Sequence, residues 1–314
     1  MLKCMGEVIF MSLKEKTKKY LNKKCKNSIK GKTIVITGAT RGVGFKAAEE
    51  LLYLGANLIL AARNQEKAEE IKKNLEEEYK DSTIDIYPLD LASLDSIKKF
   101  AARIKRNKVD VYGFVNNAGV FSGNNRTVDN YPLVMGTNYI GTFVLVERLL
   151  PYFMSLSHDV KLINTSSISY KSGKINYNDF FFEKKKKGAF QIYSRSKLCL
   201  TKYSIYLANK YMDSNIQTIM THPGIAKTSL LMDMFKPWYM RIFKPMANIF
   251  MKPEKASLSI PYALTNDVRS GSLIGPNHLF DGWGYPKINK LKKKAYSEIE
   301  QLIVYTKGIL KKDI

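Results

Sequence analysis

Apolar positions along this chain switch repeatedly between two periods. Thr33–Thr37 is a continuous apolar and β-branched run, the pattern of a strand buried on both faces of a parallel sheet. Val43, Ala47, Leu51 and Leu54 follow at helical spacing. Ala56–Ala62 predicts a second strand, and 64–80 a Glu- and Lys-rich surface helix whose apolar stripe is Ala68, Ile71 and Leu75. Ile84–Pro88 predicts a third strand. Ser93 is placed to cap a helix whose inner face is Leu94, Ile97, Ala101 and Ile104. Val109–Val115, Val160–Thr165 and Ile216–Thr221 predict three further strands, separated by helices over about 131–153 and 189–211, and Leu273–Phe280 a seventh. Strands alternating with helices imply a parallel sheet covered on both faces. Right-handed crossovers make this a Rossmann-type, doubly wound α/β fold with a seven-stranded, mostly parallel sheet.

Composition narrows the picture through charge. At 45% hydrophobic and 25% charged residues, the 314-residue chain is ordinary for a globular protein. Its formal charge of +23 is not. Residues 1–32 hold ten lysines against two glutamates, and 287–314 hold eight lysines against three acids. More than half of the excess therefore lies at the two ends. The expected organisation is a basic N-terminal extension (1–31), a core domain (32–286) and a basic C-terminal extension (287–314). This distribution argues against a specific nucleic-acid-binding surface. Met11, Leu13, Tyr20 and Leu21 among the N-terminal lysines could add apolar contact to an anionic membrane surface, although a solvated extension is the default expectation. Lys184–Lys187 reads as a solvated loop.

Cys4, Cys25 and Cys199 have no paired spacing, and with only three histidines no metal centre is expected. Cys199 reads as a small buried apolar residue. The apolar stretch Val8–Leu13 is too short, and lacks the cleavage site, for a secretory signal. The expectation is a protein that is not secreted, and is cytoplasmic or peripheral on an intracellular membrane.

The candidate chemistry begins where the first strand ends. Thr37-Gly38-Ala39-Thr40-Arg41-Gly42-Val43-Gly44 turns from strand into helix. Its three glycines suit a tight turn, close approach of backbone to a pyrophosphate, and close helix–strand packing. The helix N-terminus offers free N–H groups and positive dipole to phosphates. The second strand ends in Ala61-Ala62-Arg63 without the carboxylate that would bind a ribose 2′-hydroxyl. Arg63 and Arg41 are placed to meet a 2′-phosphate, so NADP(H) is the expected cofactor. Tyr193 and Lys197 are spaced i, i+4 on a predicted helix and project from one face. A nearby ammonium would lower the tyrosine pKa from about 10.

Together these motifs resemble the short-chain dehydrogenase/reductase family. The glycine turn is similar to its T-G-x-x-x-G-x-G. Asp90-Leu91 follows the third strand, where the family contacts adenine. Asn116-Asn117-Ala118-Gly119 matches its N-N-A-G, and Tyr193-Ser194-Arg195-Ser196-Lys197 its Y-x-x-x-K. Pro223-Gly224, with Thr228, resembles its P-G motif after the sixth strand. The resemblance implies that Gly38, Thr40, Arg41, Gly42, Val43, Gly44, Arg63, Asp90, Leu91, Asn117, Ala118, Gly119, Tyr193, Lys197, Pro223, Gly224 and Thr228 hold the dinucleotide. It further implies Tyr193 as general acid or base, Lys197 on the nicotinamide ribose, Ser167 as hydrogen-bond donor to the substrate oxygen, and Asn138 holding a water in a proton relay. Ser166 is expected to be structural.

Ala62-Arg63-Asn64, Asp90-Leu91-Ala92-Ser93-Leu94 and the long interval from Ser167 to Tyr193 look like the branch containing retinol dehydrogenases and the WW-domain oxidoreductase. Thr40-Arg41 departs from that branch and looks more like the bacterial ketoacyl reductases. The apolar, Met-rich segment from Leu230 to Met251 suits a lipophilic carbonyl or alcohol substrate. A homodimer is compatible with the family, and a non-catalytic dinucleotide-sensing protein on the same fold is the alternative reading.

Overall fold

The structure is a computed structural model that describes residues 13–121, 125–185, 187–227, 250–279 and 281–310. Helix α1 (Leu13–Lys24) precedes the alternating core of β1 (Thr33–Thr37), α2 (Gly42–Tyr53), β2 (Asn57–Ala62), α3 (Gln65–Glu78), β3 (Ile84–Pro88), α4 (Leu94–Arg106) and β4 (Val111–Asn116). A long helical run follows: α5 (Leu133–Met135), a π-helical turn (Gly136–Gly141) and α6 (Thr142–Met154). Then come β5 (Val160–Thr165), α7 (Ala189–Lys210), β6 (Ile216–Thr221), α8 (Pro253–Ala256), α9 (Ser259–Thr265), β7 (Leu273–His278), β8 (Trp283–Asn289) and α10 (Ile299–Ile309).

Among the described residues the sheet has eight strands in the order β3-β2-β1-β4-β5-β6-β7-β8. Seven run parallel. The eighth, absent from the sequence expectation, pairs antiparallel with β7. Its sequence, Trp-Gly-Tyr-Pro-Lys-Ile-Asn, has Gly284 and Pro286 and three exposed positions in place of a continuous apolar run; it forms because it can edge-pair with β7. Strand order reverses between β1 and β4, which opens a crevice beyond the C-terminal strand ends.

Each central strand sends side chains into two cores. Val35, Phe114 and Leu162 face α4, α6 and α7, whereas Ile34, Ile36, Val115 and Ile163 face the layer containing α2. This two-sided burial is why those strands read as unbroken apolar runs. Leu133–Met154 is apolar and long enough to cross a membrane, but 83% of its most apolar window is buried in the protein core.

The described parts of both ends, 13–31 and 287–310, differ from solvated extensions. Thr17 and Leu21 are one helical turn apart on α1 and are buried, and Ile29 continues that face into the core under α2. Tyr20 stacks on Tyr285 with ring centroids 4.7 Å apart. Tyr20 and Leu21 therefore pack internally, while Met11 lies outside the described residues. At the other end, the expected boundary after residue 286 falls within β8. Leu302, Ile303 and Leu310 join the core beside α7, and the Tyr139 hydroxyl meets Thr306 Oγ1 at 2.7 Å. Among the described lysines of this stretch, Lys287, Lys290, Lys292 and Lys293 are exposed, on the outer side of a segment whose apolar residues pack inward. Lys184, Lys185 and Lys187 are exposed, as expected of a solvated loop.

Candidate active site

The glycine turn is built by mutual bracing of the β1 and β4 ends. Thr37 Oγ1 accepts hydrogen bonds from the backbone N–H of Asn117 (3.0 Å) and Ala118 (2.9 Å). The Asn117 amide donates back to the carbonyls of Thr37 (3.0 Å) and Gly38 (3.2 Å). Gly38 has φ +69°, and a Cβ there would lie 2.7 Å from Ala118 Cα. A Cβ on Gly44 would come within 2.3 Å of both Gly38 O and Asn117 Nδ2. No side chain caps the N-terminus of α2, so its first N–H groups face the crevice unprotected.

The turn forms one wall of a groove of about 430 Å³. Gly38, Thr40, Arg41, Gly42, Val43 and Gly44 line it, as do Arg63, Asp90 and Leu91, then Asn117, Ala118 and Gly119, and finally Tyr193, Lys197 and Pro223. Residues from six strand ends thus converge, as the doubly wound topology dictates. Arg41 and Arg63 are exposed at the groove. Asp90 is held by its own turn: Oδ1 accepts from Ala92 N–H at 2.9 Å. Gly224 has φ +67° and packs where a Cβ would meet Gly282 O at 2.4 Å, so it shapes the loop beside Pro223 rather than lining the groove. Thr228 and most of the Leu230–Met251 segment lie outside the described residues.

Sequence reasoning missed several lining residues. Asn64 and Lys67 lie beside Arg63, and Thr137 contributes a buried Oγ1 with no hydrogen-bond partner. Nothing in a motif marks them; Lys67 is one of many lysines on a surface helix, and only the groove distinguishes it. His222 precedes Pro223-Gly224 in the motif after the sixth strand, but the motif assigns it no role. It is buried, its Nδ1 accepts from Gly224 N–H at 3.2 Å, and burial lowers its pKa to about 4.

At the far end of the groove Tyr193 and Lys197 project from α7. Tyr193 is buried against Phe121, with ring centroids 5.1 Å apart, and with Val134. Its hydroxyl is hydrogen-bonded by Ser167, which pulls its pKa down, but burial dominates and pushes it up to about 12. The sequence expectation that Lys197 depresses this pKa is not what governs here. The Lys197 Nζ sits 5.8 Å from the centre of the Tyr193 ring and donates to Thr165 O at 2.8 Å. Burial lowers Lys197 to about 8.

Ser167 caps a short 3₁₀ turn, its Oγ accepting from Ser169 N–H at 3.2 Å. Ser166 borders the groove but pairs its hydroxyl with Thr201 at 2.7 Å. Asn138 sits in the π-helical turn, behind Gly119. Its amide exchanges two 2.8 Å bonds with the Val120 backbone and donates to Ser196 Oγ at 3.1 Å. Cys199 is fully buried and raised to about 12 by desolvation, which makes it unreactive. Among the described residues no cluster of His, Cys, Asp or Glu could hold a metal ion.

Comparison with known proteins agrees with this geometry. Human retinol dehydrogenase 13 is 35% identical over 206 residues, covering 65% of this chain and 62% of that protein. Mouse retinol dehydrogenase 14 is 34% identical over 261 residues, 78% of each chain. The chain thus spans about three fifths of the human relative's length. A crystal structure of an uncharacterized protein from Mycobacterium paratuberculosis superimposes with a TM-score of 0.74 at 26% identity, covering 91% of this chain and 96% of that one. A short chain dehydrogenase from Shigella flexneri complexed with NADP superimposes at 0.62 with 23% identity, covering 79% and 98%. Residues 32–237 match the sequence profile of the short chain dehydrogenases. With that match spanning the glycine turn, the Tyr193–Lys197 pair and the first six strands of the sheet, this chain belongs to the short-chain dehydrogenase family, on a branch similar to the retinol dehydrogenases.

Proposed function

We propose that this protein is an NADP-dependent oxidoreductase that interconverts a carbonyl and an alcohol on a lipophilic substrate. The observation that carries the reading is the convergence of Tyr193 and Lys197, with Ser167 on the Tyr193 hydroxyl, at one end of a groove whose other end opens between two arginines. The residues fit a dinucleotide: the Gly38 and Gly44 positions leave no room for a Cβ, and the uncapped α2 start can receive a pyrophosphate. Arg41 and Arg63, aided by Lys67, would hold a 2′-phosphate. Asp90 and Leu91 would flank the base, and Lys197 the ribose next to the nicotinamide. When bound, the cofactor supplies or takes the hydride.

This chain's own residues handle the proton. With its pKa pushed up to about 12, Tyr193 is neutral at physiological pH and can protonate a carbonyl oxygen. Ser167 donates to the same oxygen and stabilises its developing charge. Lys197, lowered to about 8, remains mostly cationic at neutral pH. Asn138 supports them by fixing Val120 and Ser196, and would hold the water of a proton relay. Phe121, Val134 and Ile192 around Tyr193 favour an apolar substrate face, such as a retinoid-, steroid- or lipid-aldehyde-like carbonyl. The N-terminal lysines support peripheral contact with an intracellular membrane, which liposome sedimentation at low salt would test.

The decisive experiment is an NADPH-oxidation screen across aldehydes and ketones of increasing lipophilicity, with Tyr193→Phe as control. We expect turnover that rises with chain length and falls by on the order of 10²–10⁴ in the variant. Failure of every carbonyl to oxidise NADPH, or retained turnover in Tyr193→Phe, would refute the reading.

A further inference from the structure

We propose that the cleft between α1 and α2 is a second binding site, for a small, largely apolar molecule that ends in a primary amine. The cleft is a cavity of about 220 Å³ and shares no lining residue with the dinucleotide groove. Lys46, Glu49, Glu50 and Tyr53 form its α2 wall at i, i+3, i+4 and i+7, and Thr17 and Leu21 form its α1 wall. Tyr53, Tyr79 and Leu21 make most of the surface apolar.

At its base is a buried acid without a full set of partners. Glu50 is 5% exposed; its Oε1 accepts from Ser257 Oγ at 2.6 Å, and its Oε2 has no hydrogen-bond partner. Glu254 Oε2, also on the cleft, is buried and equally without a partner. Folded proteins rarely leave such atoms unmatched, so two orphan acceptors on one cavity mark the place of a donor. The lysines nearby are already engaged. Lys46 pairs with Glu49 at 2.7 Å and reaches the other oxygen of Glu254, Oε1, at 3.9 Å; Lys14 pairs with Glu78 at 2.6 Å, and Lys18 lies over the Tyr53 ring, 4.9 Å from its centre.

The chemistry of the ligand follows from these groups. Three lysines and three carboxyls line the cavity, but the lysines are engaged, so the side-chain groups left to meet a ligand are oxygen acceptors. An ammonium carries three donors and no acceptor, which suits a lining whose unmatched side-chain atoms are oxygens. Its hydrogen bonds to carboxylates are charge-assisted. The tyrosine and leucine walls then take an aromatic or short aliphatic body. The volume is below the roughly 300 Å³ at which drug-sized ligands begin, so about ten non-hydrogen atoms fit. Burial holds Glu50 well above the usual carboxylate range, and an entering ammonium would bring it back to the ionised form.

The test is ligand-observed NMR on the full chain, in saturating NADPH, with phenethylamine, phenethyl alcohol and phenylpropionate as probes. Phenethylamine should bind with a Kd of about 1 mM or tighter, the alcohol at least about tenfold more weakly, and the carboxylate not at all. Glu50→Gln should weaken the amine by at least about tenfold while leaving the melting temperature at or above that of the parent. Thr17→Leu, which fills the cleft from the α1 side, should abolish binding without touching the acid. The proposal is overturned if the amine does not bind, if it binds Glu50→Gln or Thr17→Leu as well as the parent, or if NADPH displaces it.

Discussion

Tyr193 must be protonated to donate and close to ionisation to accept, and its surroundings choose between the two. Burial against Phe121 favours the neutral phenol, and the Ser167 hydroxyl only partly offsets this. Replacing Tyr193 by Phe removes the donor but keeps the ring packing, so turnover should fall by on the order of 10²–10⁴ while NADPH affinity stays within about twofold; steady-state kinetics and fluorescence titration check both halves. The cofactor choice also rests on single side chains. Arg63→Ala should raise the Kd for NADPH by about tenfold and leave that for NADH unchanged, because a guanidinium–phosphate contact contributes about 1–2 kcal/mol when partly exposed. Equal loss for both cofactors would assign Arg63 to shape rather than to phosphate recognition. Asn138 shows what a sequence position leaves unsaid. Its place in the helix was legible, but the bonds that occupy its amide come from Val120 in the loop after β4 and Ser196 on α7, both distant in sequence.

Helices and strands contribute by the closeness with which they meet. Gly141 ends the π-turn where a Cβ would strike Leu91 O at 2.2 Å, so the helix bearing Asn138 leans directly on the loop that follows β3. At Gly44 the neighbours are the turn carbonyl of Gly38 and the bracing amide of Asn117, and backbone cannot yield as a flexible side chain would. Gly44→Ala should therefore weaken dinucleotide binding by at least about tenfold and destabilise the fold by about 1–3 kcal/mol, measurable by titration and chemical denaturation. An unchanged protein would mean that the turn relaxes without loss. The central parallel strands were legible because they are buried on both faces, and α3 and α4 because each buries one stripe. Strand β8 was not, since its alternation is interrupted by Pro286 and exposed Ile288, and only the free edge of β7 makes it a strand. Helix α1 was hidden for a related reason: Thr17 and Leu21 are a narrow stripe among lysines, and what they bury against is contributed by segments more than two hundred residues away.

Across the whole molecule, the excess of basic residues coats a fold closed at its C-terminal end by β8 and α10 rather than trailing from it. Truncation after Asn289 would bare the Tyr203 and Leu207 face of α7; Ile303→Ala alone should destabilise by about 2–4 kcal/mol and lower the denaturation midpoint accordingly. The same closure produces an acid-sensitive link. His222, at the end of β6, lies in a pocket where Gly275 has no side chain to obstruct it and the β8 residue Asn289 places its amide 3.2 Å from Nε2. Burial lowers the imidazole from 6.5 to about 4. Below pH 6.5 the unfolded chain takes up a proton that the folded chain refuses, so stability falls as pH drops from about 6.5 to about 4, by roughly 3 kcal/mol across the window. Glu50 acts in the opposite direction. Its raised pKa means that the folded chain is the one holding the extra proton above the ordinary carboxylate value, which adds stability as pH falls. Wild-type acid titration therefore mixes the two, whereas the difference between wild type and His222→Gln isolates the histidine. That difference should shrink steadily from pH 6.5 to 4 in urea denaturation; a difference constant across the window would show that the imidazole titrates alike in the folded and unfolded chains.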